Sequence, residues 1–136
     1  MSKPTRSDTG AWGEALAARH LEQSGYVIAA RNWRPDGDGA GRRLHGEIDI
    51  IARRGDTLVF VEVRTRHGQA FGSPEESLTR RKQAKLIETA QAYLNATLSG
   101  AARDNCAWRI DFIAVDLDAR NAVQRLSHIE HAVAQP

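Results

Sequence analysis

Apolar residues form two short runs in the middle of the chain, and their pattern predicts the centre of the fold. Residues 57–64 are rich in β-branched and aromatic side chains, which favour a strand, and residues 48–53 predict its partner. The segment between them, 54–56, contains Gly55, which can adopt the positive φ that tight turns need. The pattern therefore predicts an antiparallel hairpin.

Two acidic residues interrupt these apolar runs. Strand side chains alternate between faces, so a hairpin centred on residues 54–55 places Asp49 opposite Phe60. Glu47 then lies opposite Glu62, and all four side chains share one face. Asp49 and Glu62 become diagonal neighbours, with Cβ atoms roughly 5 to 8 Å apart. That separation allows both carboxylates to bind one hard cation.

An alternative interpretation needs no metal. Because an unpaired buried charge is costly, the two acids could instead pair with basic side chains in a structural network. The basic residues available for such a network are Arg64, Arg109 and Lys82. The spacing of the residues leaves both interpretations open.

A first helix is predicted to begin near Thr9 and to end before Gly25, which is well placed as the glycine after a helix. On a helical wheel, Glu14 lies among small apolar residues rather than among the other polar ones. Glu14 is therefore either a third acid directed at the site or a capping or ion-pairing residue near the helix start, where the dipole favours an acid.

Residues 74–98 predict a second helix, broken near Thr79, and Ser73 begins a capping-box pattern. Projecting the apolar stripe of this helix back by four residues from Leu86 reaches Lys82. We expect Lys82 either to lie over the sheet edge with its charge in solvent or to supply a positive charge to the acidic pair.

The remaining segments complete an α/β fold. Further strands are predicted over residues 26–33, 107–116 and 123–129, with loops over 35–43, 65–72 and 99–105. In strand 107–116, Arg109 and Asp111 lie on a face that also carries the apolar residues Ile113 and Val115. The two charged residues are candidates either for the rim of the site or for a cross-strand pair. The element order predicts a mixed central sheet flanked by helices.

Size and composition limit the class of protein. The 136 residues suit one domain, which we place at 9–131 between a disordered tail 1–8 and a tail 132–136. The single cysteine, Cys106, excludes an intramolecular disulfide and a cysteine-based zinc site. The polar N-terminus and the lack of a membrane-length apolar run predict a cytoplasmic protein without a membrane partner.

The net charge is only +2, but arginine greatly outnumbers lysine and the basic residues cluster along the chain. Clustered arginines suit contacts with phosphate, and a solvated surface without a partner is the alternative. Arg42 and Arg43, in the glycine-rich loop, are candidates to reach a phosphate backbone.

Four short blocks together resemble a known family. They are Gly-Ala-Trp-Gly-Glu at 10–14, Gly-Glu-Ile-Asp at 46–49, Phe-Val-Glu-Val-Arg-Thr-Arg at 60–66 and Trp-Arg-Ile-Asp-Phe-Ile at 108–113. The chain resembles the YraN-like family of small bacterial proteins over about residues 10 to 130. That family is similar to the PD-(D/E)XK nucleases, and closest in style to archaeal-type Holliday-junction resolvases. The resemblance implies a restriction endonuclease-like αβββαβ core with one added strand.

The resemblance also implies site residues. Asp49 matches the motif's Asp, Glu62 its second acid, and Glu14 the acid on the first helix of resolvase-like members. These three acids, with the Val63 carbonyl, would bind Mg²⁺ or Mn²⁺. Arg64 stands where the motif has Lys; because Arg stays protonated, Lys82 is a candidate to replace that charge. The arginines implied in phosphate contacts are Arg53, Arg54, Arg66, Arg80 and Arg81.

Three functions follow as hypotheses. The first is a metal-dependent endonuclease acting on DNA, branched DNA included, for which cutting two strands would require a homodimer. The second is a non-catalytic module that binds nucleic acid or a partner protein and retains the nuclease fold. The third is a nuclease directed at RNA.

Overall fold

The computed structural model describes residues 6–35, 46–68 and 72–134, with side chains described from residue 9 onward. The strands are β1 (Val27–Trp33), β2 (Ile48–Arg54), β3 (Thr57–His67), β4 (Ala107–Leu117) and β5 (Val123–Ile129). The helices are α1 (Arg6–Gln23), α2 (Arg80–Thr97) and α3 (Gly100–Asp104), with a 3₁₀ turn at Pro74–Ser77. None of the helices in these ranges is long and apolar enough to span a bilayer.

The five strands form one sheet in the order β1-β2-β3-β4-β5. Neighbouring strands are antiparallel except for β3 and β4, which pair in parallel from Thr57 opposite Ala107 to His67 opposite Leu117. A parallel pair needs a crossover connection, and the segment containing α2 and α3 supplies it.

Helices cover both faces of the sheet because the strands alternate their side chains. On one face, Ala17 and Leu21 of α1 pack against Val59 and Val61 of β3. On the other face, Leu86, Ala90 and Leu94 of α2 join a core that contains Phe60, Ile110 and Phe112. The predicted mixed sheet flanked by helices is confirmed, and the element order agrees with the αβββαβ core plus β5.

The hairpin register differs from the prediction by two residues. The loop is Gly55-Asp56, so Arg54 pairs with Thr57 and Ile51 pairs with Phe60. The prediction of Asp49 opposite Phe60 is therefore wrong. A shift of two preserves the alternation of faces, and extending the register places Asp49 directly opposite Glu62 rather than diagonal to it.

Several predicted boundaries also change. Helix α1 begins at Arg6, so residues 6–8 belong to it rather than to a disordered tail. The predicted loop 99–105 contains the short helix α3. At the other end, Val133 is buried in the core, so the fold continues past residue 131. The predictions for Arg42 and Arg43 lie outside the described residues.

The prediction that the side chain of Ser73 caps the second helix was wrong. Ser73 makes no capping hydrogen bond with its side chain, although proline does occupy the first helical position of the 3₁₀ turn. The chain breaks near Thr79 as predicted, and the Thr79 hydroxyl accepts a hydrogen bond from the Lys82 N–H at 3.3 Å. Thr79 is therefore the N-cap of α2.

Candidate active site

Strands β2 and β3 hold Asp49 and Glu62 side by side where the hairpin leaves the core. The Val63 N–H donates a 2.8 Å hydrogen bond to Oδ2 of Asp49, and the Asp49 carboxyl also contacts the carboxyl groups of Glu62 and Glu14. Ile48 and Ile50, on either side of Asp49, are fully buried. The strand position therefore fixes where this carboxylate lies and removes much of its water.

Both acids of this pair have a raised pKa. Burial, then the nearby charge of Glu62, raises the pKa of Asp49 to about 8. Burial also raises the pKa of Glu62, although its hydrogen bond with Asp49 and the charge of Lys82 act in the opposite direction. Near neutral pH the pair therefore holds a proton, with Asp49 as donor and Glu62 as acceptor.

Glu14 reaches the same place from α1. Burial, then the charges of Asp49 and Glu47, raises the pKa of Glu14, and Arg31 partly offsets this. With its amide nitrogen turned toward the site, Asn32 donates to Glu14 Oε2 and to Glu47 Oε1, at 3.1 Å each. The structure therefore brings Glu14 close to the acidic pair.

A close approach between α1 and β3 brings Glu14 to the site. A Cβ atom at Gly13 would collide with the Thr65 side chain, so only glycine allows the helix to lie this near the strand. Ala17 and Leu21, one and two turns further along α1, are fully buried on the same side. The small residues that follow Glu14 thus serve to dock the helix that carries it.

Arg64 and Lys82 lie near the acids, and both are exposed. Their charges lower the pKa of Glu62, which places both cations within electrostatic reach of that carboxylate. The Lys82 ammonium also donates to the Ser77 carbonyl at 3.4 Å. The prediction that Lys82 extends the buried stripe of α2 was therefore wrong; its side chain lies at the exposed start of the helix.

The five arginines predicted to contact phosphate do not form one group. Arg80 and Arg81 are exposed at the start of α2, beside Lys82. Arg53 and Arg54 are exposed at the opposite end of the hairpin, where Arg54 contacts Tyr26 and Glu130.

Arg66 has a structural ion pair. Its Nε donates to Asp116 Oδ1 at 2.7 Å, and another guanidinium nitrogen donates to Oδ2 at 3.1 Å. Asp116 is fully buried and also binds Arg125. Burial raises the pKa of Asp116, but the two arginines outweigh it and hold the pKa below its ordinary value.

Arg109 and Asp111 lie on the opposite face of the sheet from Glu62. The Arg109 Nε donates to Asp111 Oδ1 at 3.0 Å, and the imidazole of His128 lies 2.8 Å from Oδ2. Asp111 is fully buried, and its register partner on β3 is Val61, which faces α1. The two residues form a pair within β4, and Asp111 also pairs across strands with His128 of β5. The prediction that they lie at the rim of the site was therefore wrong.

An open cleft of about 870 Å³ adjoins Glu14, one of the acidic residues. It lies between the start of α1, the end of β3 and the β4–β5 turn, and its walls include Thr9, Glu14, Val63, Arg64, His67 and Asn121. The carboxylate of Glu14 and the guanidinium of Arg64 therefore meet a space large enough for a substrate of several atoms.

The donor atoms of this site suit a hard cation. Within residues 6–35, 46–68 and 72–134, no three acidic, histidine or cysteine side chains already stand in a metal-binding arrangement. Asp49 and Glu62, however, are carboxylates that share a proton in a half-buried position, and a divalent cation could replace that proton. The oxygen donors fit Mg²⁺ or Mn²⁺ better than a softer metal.

Sequence reasoning did not identify two residues of the site. Glu47 raises the pKa of Asp49, Glu62 and Glu14, so four acids rather than three act on one another. Asn32 joins Glu47 to Glu14, and its φ of 53° lies in the left-handed region. Glu47 and Asp49 are two positions apart, and this spacing could have indicated that Glu47 also belongs to the site. Nothing in the sequence marked Asn32.

Comparisons with known proteins identify the family. The model of UPF0102, described as an uncharacterised protein family, matches residues 13–115. A relative from Roseiflexus castenholzii is 42% identical over 133 residues, covering 96% of each chain. One from Chloroflexus aurantiacus is 44% identical over 135 residues, covering 98% of this chain and 96% of the relative. The chain therefore belongs to the UPF0102 family, which confirms the family resemblance drawn from the four sequence blocks.

Proposed function

We propose that this protein is a metal-dependent endonuclease that hydrolyses phosphodiester bonds in DNA, branched DNA included. One observation carries the proposal: Asp49 and Glu62 are held together, half-buried, and within reach of Glu14, which lines an open cleft. Burial and the charge of Glu62 raise the pKa of Asp49, so the pair binds a proton, and a divalent cation would take the place of that proton. Perturbed carboxylates next to a cleft are typical of functional sites.

The acids would hold the metal. Asp49 and Glu62 would bind Mg²⁺ or Mn²⁺ directly, with the Val63 carbonyl as a further ligand and Glu14 direct or through water. Mg²⁺ bound there would lower the pKa of a water molecule and neutralise charge that develops on the phosphate. The Val63 N–H keeps Asp49 in place for this role through its hydrogen bond.

The basic residues would position the substrate. Arg64 is exposed in the cleft and can bind a phosphate through two parallel hydrogen bonds. Arg80 and Arg81, beside Lys82, would contact the phosphate backbone on the α2 side. Arg53, Arg54 and Arg66 are weaker candidates, since the first two lie at the far end of the hairpin and Arg66 binds Asp116. We also propose a cytoplasmic location and, for cutting two strands, a homodimer.

A second candidate function rests on Arg64. A guanidinium does not act as a base near neutral pH, and this position holds lysine in the nuclease motif. A protein that kept the fold but lost cleavage would bind nucleic acid or a partner protein without chemistry. Lys82, whose charge acts on Glu62, favours the nuclease over this alternative because it could supply the missing positive charge.

Cleavage of a labelled substrate panel tests the proposal. The panel contains duplex, flap, four-way junction, single strand and RNA, each incubated with Mg²⁺ or Mn²⁺. Wild type is compared with Glu62→Ala and with Glu88→Ala, which removes an exposed acid on α2. We expect cleavage by wild type and Glu88→Ala, and none by Glu62→Ala, while all three remain folded.

The other outcomes separate the candidates. Cleavage of RNA alone would replace DNA as the substrate class. Salt-sensitive binding without cleavage would establish the non-catalytic module, and Arg64→Lys would then show whether restoring the motif lysine restores activity. Cleavage that survives in Glu62→Ala would show that the acidic pair is not the site.

A further inference from the structure

Trp12 is an exposed aromatic residue that core packing does not explain. Its side chain, on α1, keeps 47% of its surface accessible. The other two tryptophans are partly buried and pack edge-on against aromatic rings. The distance between ring centroids is 5.2 Å for Trp33 and Tyr93 and 5.8 Å for Trp108 and Phe60. An exposed indole near a candidate site therefore calls for a role at the surface.

The indole is held in place. Its Nε1–H donates a 3.0 Å hydrogen bond to the carbonyl of Asn121, in the β4–β5 turn. That turn is itself fixed, because Asp118 Oδ1 accepts hydrogen bonds from the Arg120 and Ala122 N–H groups at 2.8 and 3.0 Å. The ring of Trp12 is thus already fixed in position, so binding a ligand would not cost the entropy of ordering it.

The same turn forms one wall of the cleft described above. Asn121 lines the cleft, as does Thr9, which lies one helical turn before Trp12 on α1. Glu14 and Arg64 line the cleft as well. The indole is therefore bonded to one residue of the cleft wall and lies one helical turn from another.

Positive charge accompanies the ring. Arg64 is exposed inside the cleft, and Arg120 is exposed in the turn, next to the residue that holds the indole. Aromatic faces interleaved with cations are the combination by which proteins bind single-stranded nucleic acid: the bases stack on the rings and the phosphates contact the cations. A continuous duplex offers no free base face to the indole.

We propose that Trp12 is a stacking platform for an unpaired nucleobase, so that a single-stranded segment enters the cleft. This inference rests on the proposed function and specifies its substrate class. It extends the acidic site by a subsite that reads whether a strand is paired and does not read sequence.

Binding in EDTA tests the platform separately from cleavage. The probes are a fluorescein-labelled 12-nucleotide oligo(dT) and a 12-base-pair duplex, each titrated with wild type, Trp12→Ala and Trp12→Phe. We expect Trp12→Ala to weaken oligo(dT) binding about tenfold and to leave duplex binding unchanged. Trp12→Phe keeps an aromatic face and should retain most of the affinity.

Two controls make the result specific. Val123→Ala removes another exposed apolar side chain, 43% accessible, and should leave oligo(dT) binding unchanged. Stacking should also quench tryptophan fluorescence in wild type, and this quenching should be lost in Trp12→Phe although binding persists.

The remaining outcomes are distinguishable. Equal oligo(dT) affinity in wild type and Trp12→Ala would overturn the platform and leave the proposed nuclease standing. An equal loss on single strand and duplex would make Trp12 a general contact and overturn the preference for unpaired bases. Wild type that binds neither probe would overturn the proposed function together with this inference.

Discussion

The backbone N–H of Val63 donates to Oδ2 of Asp49 at 2.8 Å, across the two strands of the hairpin. One carboxyl oxygen of Asp49 is thereby tied to the strand that carries Glu62. The carboxyl group of Asp49 also carries the proton that it shares with Glu62. An asparagine at position 49 can reproduce both contacts, since its oxygen accepts from Val63 and its NH₂ donates to Glu62.

Asp49→Asn should therefore be more stable than wild type at alkaline pH. In the folded state the pKa of Asp49 is about 8, against an ordinary value of 3.8. The unfolded chain releases this proton above about pH 4, so wild-type stability falls between about pH 4 and pH 8. The variant has no such proton, and we expect its free energy of unfolding at pH 8 to be higher by about 2 kcal/mol, allowing for partial exposure.

Urea denaturation at pH 5 and pH 8, in EDTA, measures this difference. Glu22→Gln, which changes an exposed acid on α1, is the matched control and should follow the wild-type pH dependence. An equal loss of stability between the two pH values in wild type and Asp49→Asn would show that the acidic pair does not hold a proton.

Divalent metal should stabilise the wild-type protein through the same pair. A cation that binds the folded state alone adds about 2.7 kcal/mol at a hundred times its dissociation constant. We expect Mn²⁺ or Mg²⁺ at millimolar concentration to raise Tm by several degrees, and EDTA to reverse the shift. Glu62→Gln should lose most of this response. An unchanged metal response in that variant would place the cation elsewhere.

Replacing Asp111 by asparagine should destabilise the protein, in contrast to the same change at Asp49. Burial raises the pKa of Asp111, but the hydrogen bonds from His128 and Arg109 outweigh this and hold the pKa below the ordinary value. Asp111→Asn removes the negative charge that pairs with the half-buried guanidinium of Arg109 and leaves its contacts with Tyr26 and Glu130. The loss of that charge should cost about 3 kcal/mol of stability at pH 7. The difference from wild type should shrink below about pH 4, because the depressed pKa stabilises only where the unfolded carboxyl is ionised.

Urea denaturation at pH 7 and pH 3 checks this sign. Asp104→Asn changes an exposed aspartate at the end of α3 and should have little effect at either pH. A deficit in Asp111→Asn that persisted unchanged at pH 3 would point to lost packing rather than to lost charge.

Replacing two glycines of α1 by alanine should change the free energy of unfolding in opposite directions. An added Cβ at Gly13 would collide with Thr65, whereas a Cβ at Gly10 would meet no atom within 4 Å. Gly13→Ala should therefore destabilise by about 1 to 3 kcal/mol through overpacking and displace Glu14. Gly10→Ala should stabilise by about 0.5 to 1 kcal/mol, because alanine is the better helix former.

Thermal unfolding and DNA cleavage read the two consequences separately. Gly13→Ala should reduce cleavage even at a temperature where the variant is fully folded, while Gly10→Ala should cleave like wild type. Combining Gly13→Ala with Thr65→Ala, which removes part of the obstruction, should recover some of the stability. Equal stability of the two single variants would disprove the close approach.

Alternation along the strands was the part of the fold most readily predicted from the sequence. Trp108, Ile110 and Phe112 face α2, and Ile113 and Val115 face α1, as their spacing indicated. The register was harder, because both Arg54-Gly55 and Gly55-Asp56 could form a two-residue turn. Only an even shift keeps each side chain on its face, which is why Asp49 and Glu62 were correctly placed on the same face from a wrong register.

Long-range ion pairs could not be predicted. Arg66 and Asp116 are fifty positions apart and meet because β3 and β4 pair in parallel. Arg66 thus appeared as a free cation in the sequence, although its guanidinium binds a buried carboxylate. The helical wheel failed at Lys82, which is exposed although Leu86, one turn further along α2, is buried.

The parallel pairing of β3 with β4 also sets an order of folding events. The β2–β3 hairpin is local, whereas Thr57 and Ala107 must find each other across fifty positions. Closing that long loop is slow relative to hairpin formation. We therefore expect Asp49 and Glu62 to meet early, while still hydrated and ionised, and to bind their shared proton only when β4 docks and the core closes. Refolding at pH 7 in weak buffer should accordingly make the solution more alkaline, with the kinetics of the slow phase.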